Sequence, residues 1–463
     1  MLFRLQEYFQ DSVLQAPTIG SMLMCLIAAL IGTFVVLRAK SLIGETLSHA
    51  CYPGVIIALL LEHYFFQDAG HEITILLSVL IGATISSLLG MYLIDLLEKR
   101  FAVKSDSALS FVLSAFFGIG ITLLSALQQD HPALYKELQA YLFGQAATMR
   151  TIHVVIYACF AVVIIFFIVL FFRDIQAVLF DPVFSEVSGI KRKRVEMLLF
   201  CCLVASVVIG IRTCGIVLMS AMLIFPAVSA RFFTHRLSTL LVLAGFFAVL
   251  SGFFGVVFSH EASLYFWKEQ GPGGGMGGKV VSFPTGPMIV LCAAVLFFIS
   301  ILFSGKNGLV FKLYRKILFS WHCEQENLLK IMWKISSRKS NANSSFQEIQ
   351  EEWHRGLLSL RFVLFLLKRR GWLKERLKDE YTLTSLGMLW GRKIVRLHRL
   401  WEVYLVEVCK VAKDRVHLSA EEMEHVITPS IEKELTIILQ NPRKDPHNNP
   451  IPQHEESFLL GKK

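Results

Sequence analysis

The nine cysteines of this 463-residue sequence are scattered, and no two of them form a C-x-x-C pair. That absence excludes a zinc ribbon and a disulfide framework, and it indicates buried thiols in a reducing compartment. Residues 1–15 lack the charge pattern and cleavage site of a secretory signal peptide, so we interpret them as a short amphipathic helix. Net charge is also nearly absent up to residue 305, where 18 basic residues balance 17 acidic ones.

A nucleotide-hydrolysing site is missing as well. Residues 273–279, GGGMGGK, satisfy G-x-x-x-x-G-K, but Val280 replaces the Ser or Thr whose hydroxyl would hold Mg²⁺. No β-strand pattern precedes this string, and the charge pattern of the loops places it outside the membrane. We therefore expect a glycine-rich loop, an ATPase on another polypeptide, and a chain that is not an enzyme.

What the sequence does contain is a series of long apolar runs: 54% of its residues are hydrophobic, and 37 are Phe. A helix needs roughly 20 apolar residues to cross the hydrocarbon core of a bilayer. That criterion predicts nine spans, with a very short turn between the sixth and the seventh, and residues 141–144 as a re-entrant piece. The predicted spans are 18–37, 45–62, 73–96, 108–127, 151–172, 196–211, 214–231, 238–259 and 285–304.

Positive charge orients these spans. Lys and Arg occur on alternate loops, and acidic residues occur on the others. Because cytoplasmic loops carry the excess of Lys and Arg, we expect a multi-pass protein of the bacterial inner membrane with a cytoplasmic C-terminal part. Residues 306–463 carry 28 basic and 19 acidic residues, a net charge of +9 that predicts binding to a polyanion or an anionic membrane surface.

Five strings in the apolar part are more specific than hydropathy. In this order they resemble the permease subunits of ABC importers for zinc, manganese and iron, over residues 10–305. The resemblance implies three partners: a cytoplasmic ABC ATPase, a second permease subunit of the same or a paralogous kind, and an extracytoplasmic metal-binding protein. The strings are RAKSLIGETLSHACYPGV (38–55), LQAYLFGQ (138–145), FDPVFSEVSGI (180–190), GIVLMSAMLIFPAVSAR (215–231) and FPTGPMIVL (283–291).

The string at 180–190 lies between spans on the positive side of the membrane. It resembles the coupling helix that docks into a groove of the ATPase, and on that resemblance Asp181, Glu186 and Gly189 are coupling residues. The small residues Ser185 and Ser188 permit the close approach that docking needs.

A permease of this kind implies a cation path, and ionisable groups inside the membrane indicate its position. Glu45 and His49 lie four residues apart and share a helix face, so they are a candidate transient ligand pair for manganese, iron or zinc. In the alternative, Glu45 caps the helix and His49 hydrogen-bonds a backbone carbonyl. The outer-loop residues are candidates for a cation funnel, or are merely solvated: His63, His71, Glu72 and His131.

The basic C-terminal part begins with a connector at 306–325, which we interpret as a juxtamembrane helix. Residues 346–353 and 357–373 then follow the pattern of two helices joined by a turn, and 372–384 can form a β-wing. This pattern predicts a winged helix-turn-helix that contacts DNA phosphates. The candidate DNA contacts are Arg355, Ser359, Arg361, Lys368, Arg369 and Arg370.

Imidazole and carboxylate groups are concentrated after this motif. Two of them are four residues apart on one predicted helix, a third begins the next predicted helix, and three more occupy one face of that second helix. A set without thiolate suits Mn²⁺ or Fe²⁺ better than a structural zinc site, although a salt-bridged surface is the alternative. The six candidate ligands are His398, Glu402, His417, Glu421, Glu424 and His425.

The strings LTSLG (383–387), HRLWE (398–402), VHLSAEEMEHV (416–426) and DPHNNPIP (445–452) are similar to the iron- and manganese-dependent repressors of the diphtheria toxin repressor family. The similarity covers residues 326–452 and lacks a third, SH3-like domain. It implies a DNA-binding domain and a dimerisation domain, with operator DNA bound by a dimer.

That similarity also divides the ligands into two sites. His398, Glu402 and His417 match one site, and the other three candidates match ligands of the second. Glu421 stands where iron-responsive members have Cys, as in the manganese-responsive branch. Asn327 stands at a position that normally supplies a ligand, and the recognition helix is unusually apolar.

Together these patterns predict an all-α polytopic membrane domain of about eight or nine transmembrane helices, followed by a soluble, mainly α winged helix-turn-helix and a helical dimerisation domain. The predicted bounds are 1–305, 306–325, 326–385, 386–452 and a tail at 453–463. The leading hypothesis is a metal permease that carries a metal-dependent repressor, released by proteolysis within 305–325. One alternative is a tethered metal sensor that does not bind DNA, and another is a membrane-anchored regulator without transport.

Overall fold

The structure, a computed structural model, describes residues 2–38, 41–65, 72–269, 283–305, 308–338, 343–353, 355–377 and 379–453. The chain forms two compact units, Met1–Phe311 and Lys312–Lys463. The glycine-rich string at 273–279 lies outside the described residues.

The first unit is helical throughout its described part. Apart from one short 3₁₀ turn, Ala146–Thr148, each of its elements is an α-helix. Its helices are α1 (Leu2–Gln10), α2 (Ser12–Leu37), α3 (Ser41–Phe65), α4 (Glu72–Arg100), α5 (Ser105–Asp130), α6 (Pro132–Phe143), α7 (Thr151–Leu170), α8 (Phe172–Phe180), α9 (Pro182–Val187), α10 (Arg192–Cys214), α11 (Ile216–Arg231), α12 (Leu237–Glu269) and α13 (Thr285–Phe303).

Eight of the described helices are long and apolar enough to cross a bilayer: α2, α3, α4, α5, α7, α10, α12 and α13. The ninth predicted span corresponds to α11, which has 16 residues. Helices α2 and α3 are the most enclosed of the eight, with 72% and 78% of their apolar windows buried, whereas α7 and α13 have 28% each. The bundle is therefore built around α2 and α3, and α7 and α13 are the least enclosed of the eight helices.

The short turn predicted between the sixth and seventh spans is a single residue, Gly215, with φ of +84°. A Cβ at Gly215 would lie 2.4 Å from the carbonyl oxygen of Leu142, and a Cβ at Gly144 would lie 2.3 Å from that of Thr213. The break after α10 and the end of α6 thus pack backbone against backbone. Only glycine permits both the positive φ and this approach.

The second unit begins with α14 (Leu309–Arg338), a helix that runs across the division between the two units. Three short strands form an antiparallel sheet in the order β1–β3–β2. The remaining elements are β1 (Asn343–Ser345), α15 (Phe346–Glu352), α16 (Leu357–Arg369), β2 (Leu373–Leu377), β3 (Glu380–Leu383), α17 (Ser385–Glu407), α18 (Val416–Met423) and α19 (Pro429–Ile438).

The sequence accounts for these elements locally. Ser345 and Glu348 form a capping box at the start of α15, and the Thr384 hydroxyl accepts from the Gly387 amide at the start of α17. Gly371, with φ of +74°, ends the turn between α16 and β2. A helical membrane domain followed by a mainly α winged helix-turn-helix and further helices confirms the predicted fold class.

Candidate metal centre

Helix α17 carries the two ligands that the sequence places four residues apart. His398 and Glu402 are 5% and 2% exposed, and Nε2 of His398 lies 3.2 Å from Oε1 of Glu402. Helix α18 brings His417 to the same point, with its Nδ1 3.0 Å from Oε1 of Glu402 and 3.0 Å from Nε2 of His398. Three donor atoms from two helices therefore form a compact triangle, the one such group that could hold a metal ion among the described residues.

The three donor atoms already lie close to the separations that one bound ion would need. Bonds of about 2.1 Å put neighbouring donor atoms about 3.0 Å apart at right angles and about 3.4 Å apart at tetrahedral angles. The observed separations of 3.0, 3.0 and 3.2 Å are hydrogen-bond lengths in the metal-free centre, so binding of an ion requires only a small displacement of these side chains. Two imidazoles and one carboxylate are a donor set typical of Fe²⁺.

Glu424 fixes the orientation of His398 from the opposite side. Its Oε2 lies 2.6 Å from Nδ1 of His398, and because an ionised carboxylate can only accept, Nδ1 must donate. The other ring nitrogen, Nε2, is thereby directed at Glu402 and His417. A carboxylate behind a ligating histidine is a common feature of metal sites, where it fixes the ring and raises the basicity of the ligating nitrogen.

Protonation of the metal-free centre follows from these contacts. Burial lowers the pKa of His398, but hydrogen bonds to Glu402 and Glu424 outweigh it, so the pKa lies above its ordinary value. Burial likewise raises the pKa of Glu402, yet the bonds to His398 and His417 prevail and bring that pKa to about 2. Glu402 is therefore a carboxylate at neutral pH, and whenever the His398 ring is charged, the proton on its Nε2 must leave before a metal can bind there.

The other three predicted ligands are not gathered into one group. Glu421 lies at the edge of the triangle, half-exposed, with Oε1 3.7 Å from Nε2 of His417. Glu424 is fully buried, and both of its oxygens lie 2.9 Å from Nζ of Lys330. The third, His425, turns towards α14.

The contacts of His425 are Asn327, which the sequence placed at a position that normally supplies a ligand, and Glu326, which the sequence did not single out. Its Nδ1 lies 2.7 Å from Glu326 and its Nε2 lies 3.1 Å from Oδ1 of Asn327. Glu326 also contacts His322, at 3.3 Å. Burial raises the pKa of Glu326, but its bonds to His322 and His425 lower that pKa overall.

The signal for this face of α14 is its spacing. His322, Glu326 and Lys330 recur every four residues, so they occupy one side of the helix. The surrounding leucines and isoleucine at helical spacing account for the apolar core. In the sequence, the polar stripe is therefore indistinguishable from the solvated face of an ordinary amphipathic helix. What places the stripe against Glu424 is tertiary packing, which no local pattern indicates.

The helix-turn-helix consists of α15 and α16, and β2 with β3 form the wing. At the start of α16, Arg355 pairs with Glu324 of α14. The Ser359 hydroxyl donates to the Gly356 carbonyl and accepts from the indole N–H of Trp353, at 3.3 Å. Both predicted DNA contacts therefore have partners within the chain.

Three further candidates have partners too. Lys368 forms an ion pair with Glu375 of the wing. The guanidinium of Arg361 lies over the ring of Phe346, with 5.8 Å between its carbon and the ring centroid. Arg370 lies over Trp372, at 5.2 Å, and Arg369 is exposed.

The outer face of α16 is mainly apolar. Leu358, Phe362 and Phe365 are 84%, 46% and 55% exposed. Arg361 is exposed on the same helix. A recognition helix that reads base edges usually presents polar groups there, so this surface is unusual for a DNA reader.

In the membrane unit, Glu45 and His49 both lie on α3. His49 is 7% exposed, and its ring meets Phe117 of α5 edge-on, with the centroids 4.6 Å apart. Its Nδ1 has no hydrogen-bond partner among the described residues. Glu45 is half-buried.

The predicted coupling segment is helix α9 and its flanks. Asp181 caps the helix by accepting from the Phe184 amide at 2.9 Å, and Gly189 follows it with φ of +76°. Glu186 lies 3.8 Å from Arg192. The remaining surface is apolar and open: Val183, Phe184 and Val187 are 73%, 57% and 83% exposed.

Known proteins match both the membrane unit and the C-terminal unit of this chain. Residues 10–265 match the ABC 3 transport family. A probable metal transport system membrane protein of Chlamydia trachomatis is 34% identical over 456 residues, 96% of this chain and 97% of the other. The chain belongs to the ABC 3 transport family.

Two further matches cover the permease part of the chain, and a third covers most of its C-terminal unit. The manganese transport system membrane protein MntC of Bacillus subtilis is 31% identical over 395 residues, 85% of this chain and 84% of its own. The solved structure of PsaBC from Streptococcus pneumoniae in complex with Fab covers 66% of this chain and 98% of that chain, with 25% identity and a TM-score of 0.55. Residues 384–453 match the metal binding and dimerisation domain of iron dependent repressors.

This ABC 3 permease thus carries a repressor-type metal-binding and dimerisation domain at its C-terminal end. The family resemblances predicted from the sequence are confirmed. The matched proteins are named as transport membrane proteins rather than enzymes.

Proposed function

We propose that this chain is the permease subunit of an ABC importer for a divalent metal, iron, manganese or zinc, and that its C-terminal unit is a metal-dependent transcriptional repressor. The observation that carries the proposal is the triangle of His398, Glu402 and His417 on the same chain as the ABC 3 permease. A cell that imports a metal needs to sense the cytosolic concentration of that metal. In this proposal both the permease and the C-terminal site bind a divalent cation.

Fe²⁺ or Mn²⁺ is the resident metal that we infer for the C-terminal unit. The two imidazoles and one carboxylate suit these ions, and none of the three donors is a thiolate. Bound there, a divalent ion would supply positive charge and crosslink α17 to α18.

The partners follow from the permease family. Helix α9, with Asp181, Glu186 and Gly189 around an open apolar surface, is the proposed docking element for a cytoplasmic ABC ATPase. A second permease subunit and an extracytoplasmic metal-binding protein complete the importer. The alternation of basic loops supports a multi-pass protein of the inner membrane with α9 and the C-terminal unit in the cytoplasm.

Glu45 and His49 are the proposed ligands of the transported cation within the bundle. A buried imidazole nitrogen without a partner is costly in a membrane protein, and a cation in transit would use its lone pair. In the alternative interpretation, His49 hydrogen-bonds a backbone carbonyl. Its Nδ1 does not make such a bond.

As a repressor, the C-terminal unit would bind operator DNA as a dimer. An ion that fixes the dimerisation helices relative to the DNA-binding motif would set two α16 helices at the spacing of successive major grooves, and so couple metal binding to DNA binding. The remaining exposed cations of the motif, Arg361, Arg369 and Arg370, are placed to contact phosphates.

A membrane anchor hinders search along DNA, so we include proteolytic release within residues 305–325. Residues 309–320 are all exposed, and burial begins at Trp321. A C-terminal immunoblot of cells should show a soluble fragment of the size of the C-terminal unit. Detection of the full-length chain alone would contradict release.

One observation favours a second candidate, a tethered sensor that slows transport without reading DNA. The outer face of α16 presents Leu358, Phe362 and Phe365, which suit a protein surface better than base edges. In that case the fragment would stay attached and α16 would contact another protein.

DNA selection distinguishes the two candidates. Purified residues 320–463 would be mixed with random-sequence DNA in the presence of Mn²⁺, Fe²⁺ or a chelator, with the Glu402→Gln variant as a metal-site control. A repressor enriches one sequence only with metal, loses the enrichment in the variant, and binds more weakly as salt rises. No enrichment with either metal supports the tethered sensor.

A further inference from the structure

Lys330 of α14 lies at the position where the sequence predicts a second metal site. Its Nζ is 2.9 Å from each oxygen of Glu424, 3.2 Å from Nδ1 of His398 and 3.9 Å from Glu421. Two of the predicted ligands of that site, Glu421 and Glu424, therefore face an ammonium. The side chains of Lys330 and Glu424 are 6% and 0% exposed, so this is a buried ion pair.

The ammonium uses the lone pairs that a metal would need. Both oxygens of Glu424 are engaged by Nζ, and Oε2 also accepts from Nδ1 of His398. A divalent ion at this point would meet a positive charge within bonding distance, and in a buried site that repulsion is large. An unpaired Glu424 would be equally costly, because a buried carboxylate needs a cation or hydrogen-bond donors.

The third predicted ligand of the second site is engaged elsewhere. His425 contacts Glu326 and Asn327 at 2.7 and 3.1 Å, and its Nε2 is 3.7 Å from Glu424. The triangle of His398, Glu402 and His417 does not share this difficulty. It uses Nε2 of His398, the nitrogen on the other side of the ring from Lys330.

We propose that Lys330 is a built-in cation in place of a second metal ion, so that the C-terminal unit holds one divalent ion, bound by His398, Glu402 and His417. This inference rests on the proposed metal-sensing function. Its consequence is that α14 is joined to Glu424 by a covalently attached charge, present at every metal concentration. The response to metal then depends on the single ion at the triangle.

The test is a count of bound Mn²⁺ per full-length chain in detergent, by equilibrium dialysis, in single and double variants. In the wild-type chain, His417→Ala should remove one ion and His425→Ala should remove none. Lys330→Glu exchanges the ammonium for a carboxylate and should add one ion, which His425→Ala in the same chain then removes. Lys316→Glu, at an exposed position of the same helix, makes the same charge change and should leave the count unchanged.

The outcomes separate this inference from the function on which it rests. A wild-type chain that loses one ion with His417→Ala and a second with His425→Ala overturns the single-ion centre, whether or not Lys330→Glu folds. A folded Lys330→Glu chain, checked by its thermal melt, that gains no ion also overturns it. If His417→Ala removes no ion from the wild-type chain, metal sensing itself fails.

Discussion

Glu424 and His398 are joined by a hydrogen bond of 2.6 Å between Oε2 and Nδ1, across the interface of α17 with the end of α18. The bond directs Nε2 of His398 at Glu402 and His417, so one buried carboxylate that is not in the triangle orients a ligand that is. The same carboxylate holds Lys330. Glu424 is thus the link between the metal centre and α14.

The first prediction concerns this orienting bond. Glu424→Gln keeps the shape of the side chain but removes its charge, so Mn²⁺ affinity should fall about 10- to 100-fold, the usual effect of losing a partner behind a ligating histidine. The measurement is the dissociation constant by equilibrium dialysis. Glu422→Gln, an exposed neighbour on the same segment, is the control and should retain the wild-type affinity.

Metal affinity should depend on pH. Because the pKa of His398 lies above its ordinary value, the ring stays charged to a higher pH than a free imidazole does, and the charged ring must release a proton to bind metal. Below that pKa the affinity should fall about tenfold for each unit of pH, as one proton competes with one ion. Glu402, with a pKa of about 2, adds nothing above pH 4. Dissociation constants that are equal at pH 5.5 and 7.5 would contradict this account of His398.

Loss of the ammonium should destabilise the C-terminal unit. Lys330→Met leaves the fully buried carboxylate of Glu424 without its cation, and removal of one partner from a buried pair typically costs about 3–5 kcal/mol in the free energy of unfolding. The measurement is urea unfolding of residues 320–463. Lys433→Met, at an exposed position of α19, serves as the control, and an equal stability for both variants would argue against a strong Lys330–Glu424 pair.

The open face of α9 should be required for binding of the ATPase. Phe184→Asp places a charge on an exposed apolar residue, so the permease should fold normally but fail to co-purify with the ATPase. Phe101→Asp alters another exposed Phe, on a loop of the same predicted side, and should co-purify as the wild type does. If Phe184→Asp still retains the ATPase, α9 is not the docking element.

The membrane fold could be predicted well from the sequence because bilayer thickness sets the length of each span, and hydropathy reports that length directly. Gly215 shows the limit of prediction from hydropathy. This one residue separates α10 from α11, and its packing against Leu142 depends on a distant part of the chain. In the tail, local spacing predicted the two helices of the DNA-binding motif and the pair His398 and Glu402.

Lys330 shows what could not be predicted. A lysine four residues from Glu326 on an amphipathic helix is usually solvated, and here packing against His398 and Glu424, 68 and 94 residues away, buries it. The predicted second ligand set was spaced correctly along α18, but spacing on one helix does not indicate what faces it from another. Position in space, rather than residue type, decides between a metal and an ammonium.

The central claim is that His398, Glu402 and His417 bind a divalent metal in this permease chain. The most direct measurement is anomalous diffraction at the manganese edge from crystals of residues 320–463 grown with Mn²⁺. The account predicts one strong peak per chain, within bonding distance of Nε2 of His398, Oε1 of Glu402 and His417. An anomalous map without a peak at the triangle, or with its strongest peak among Glu421, Glu424 and His425, would contradict it.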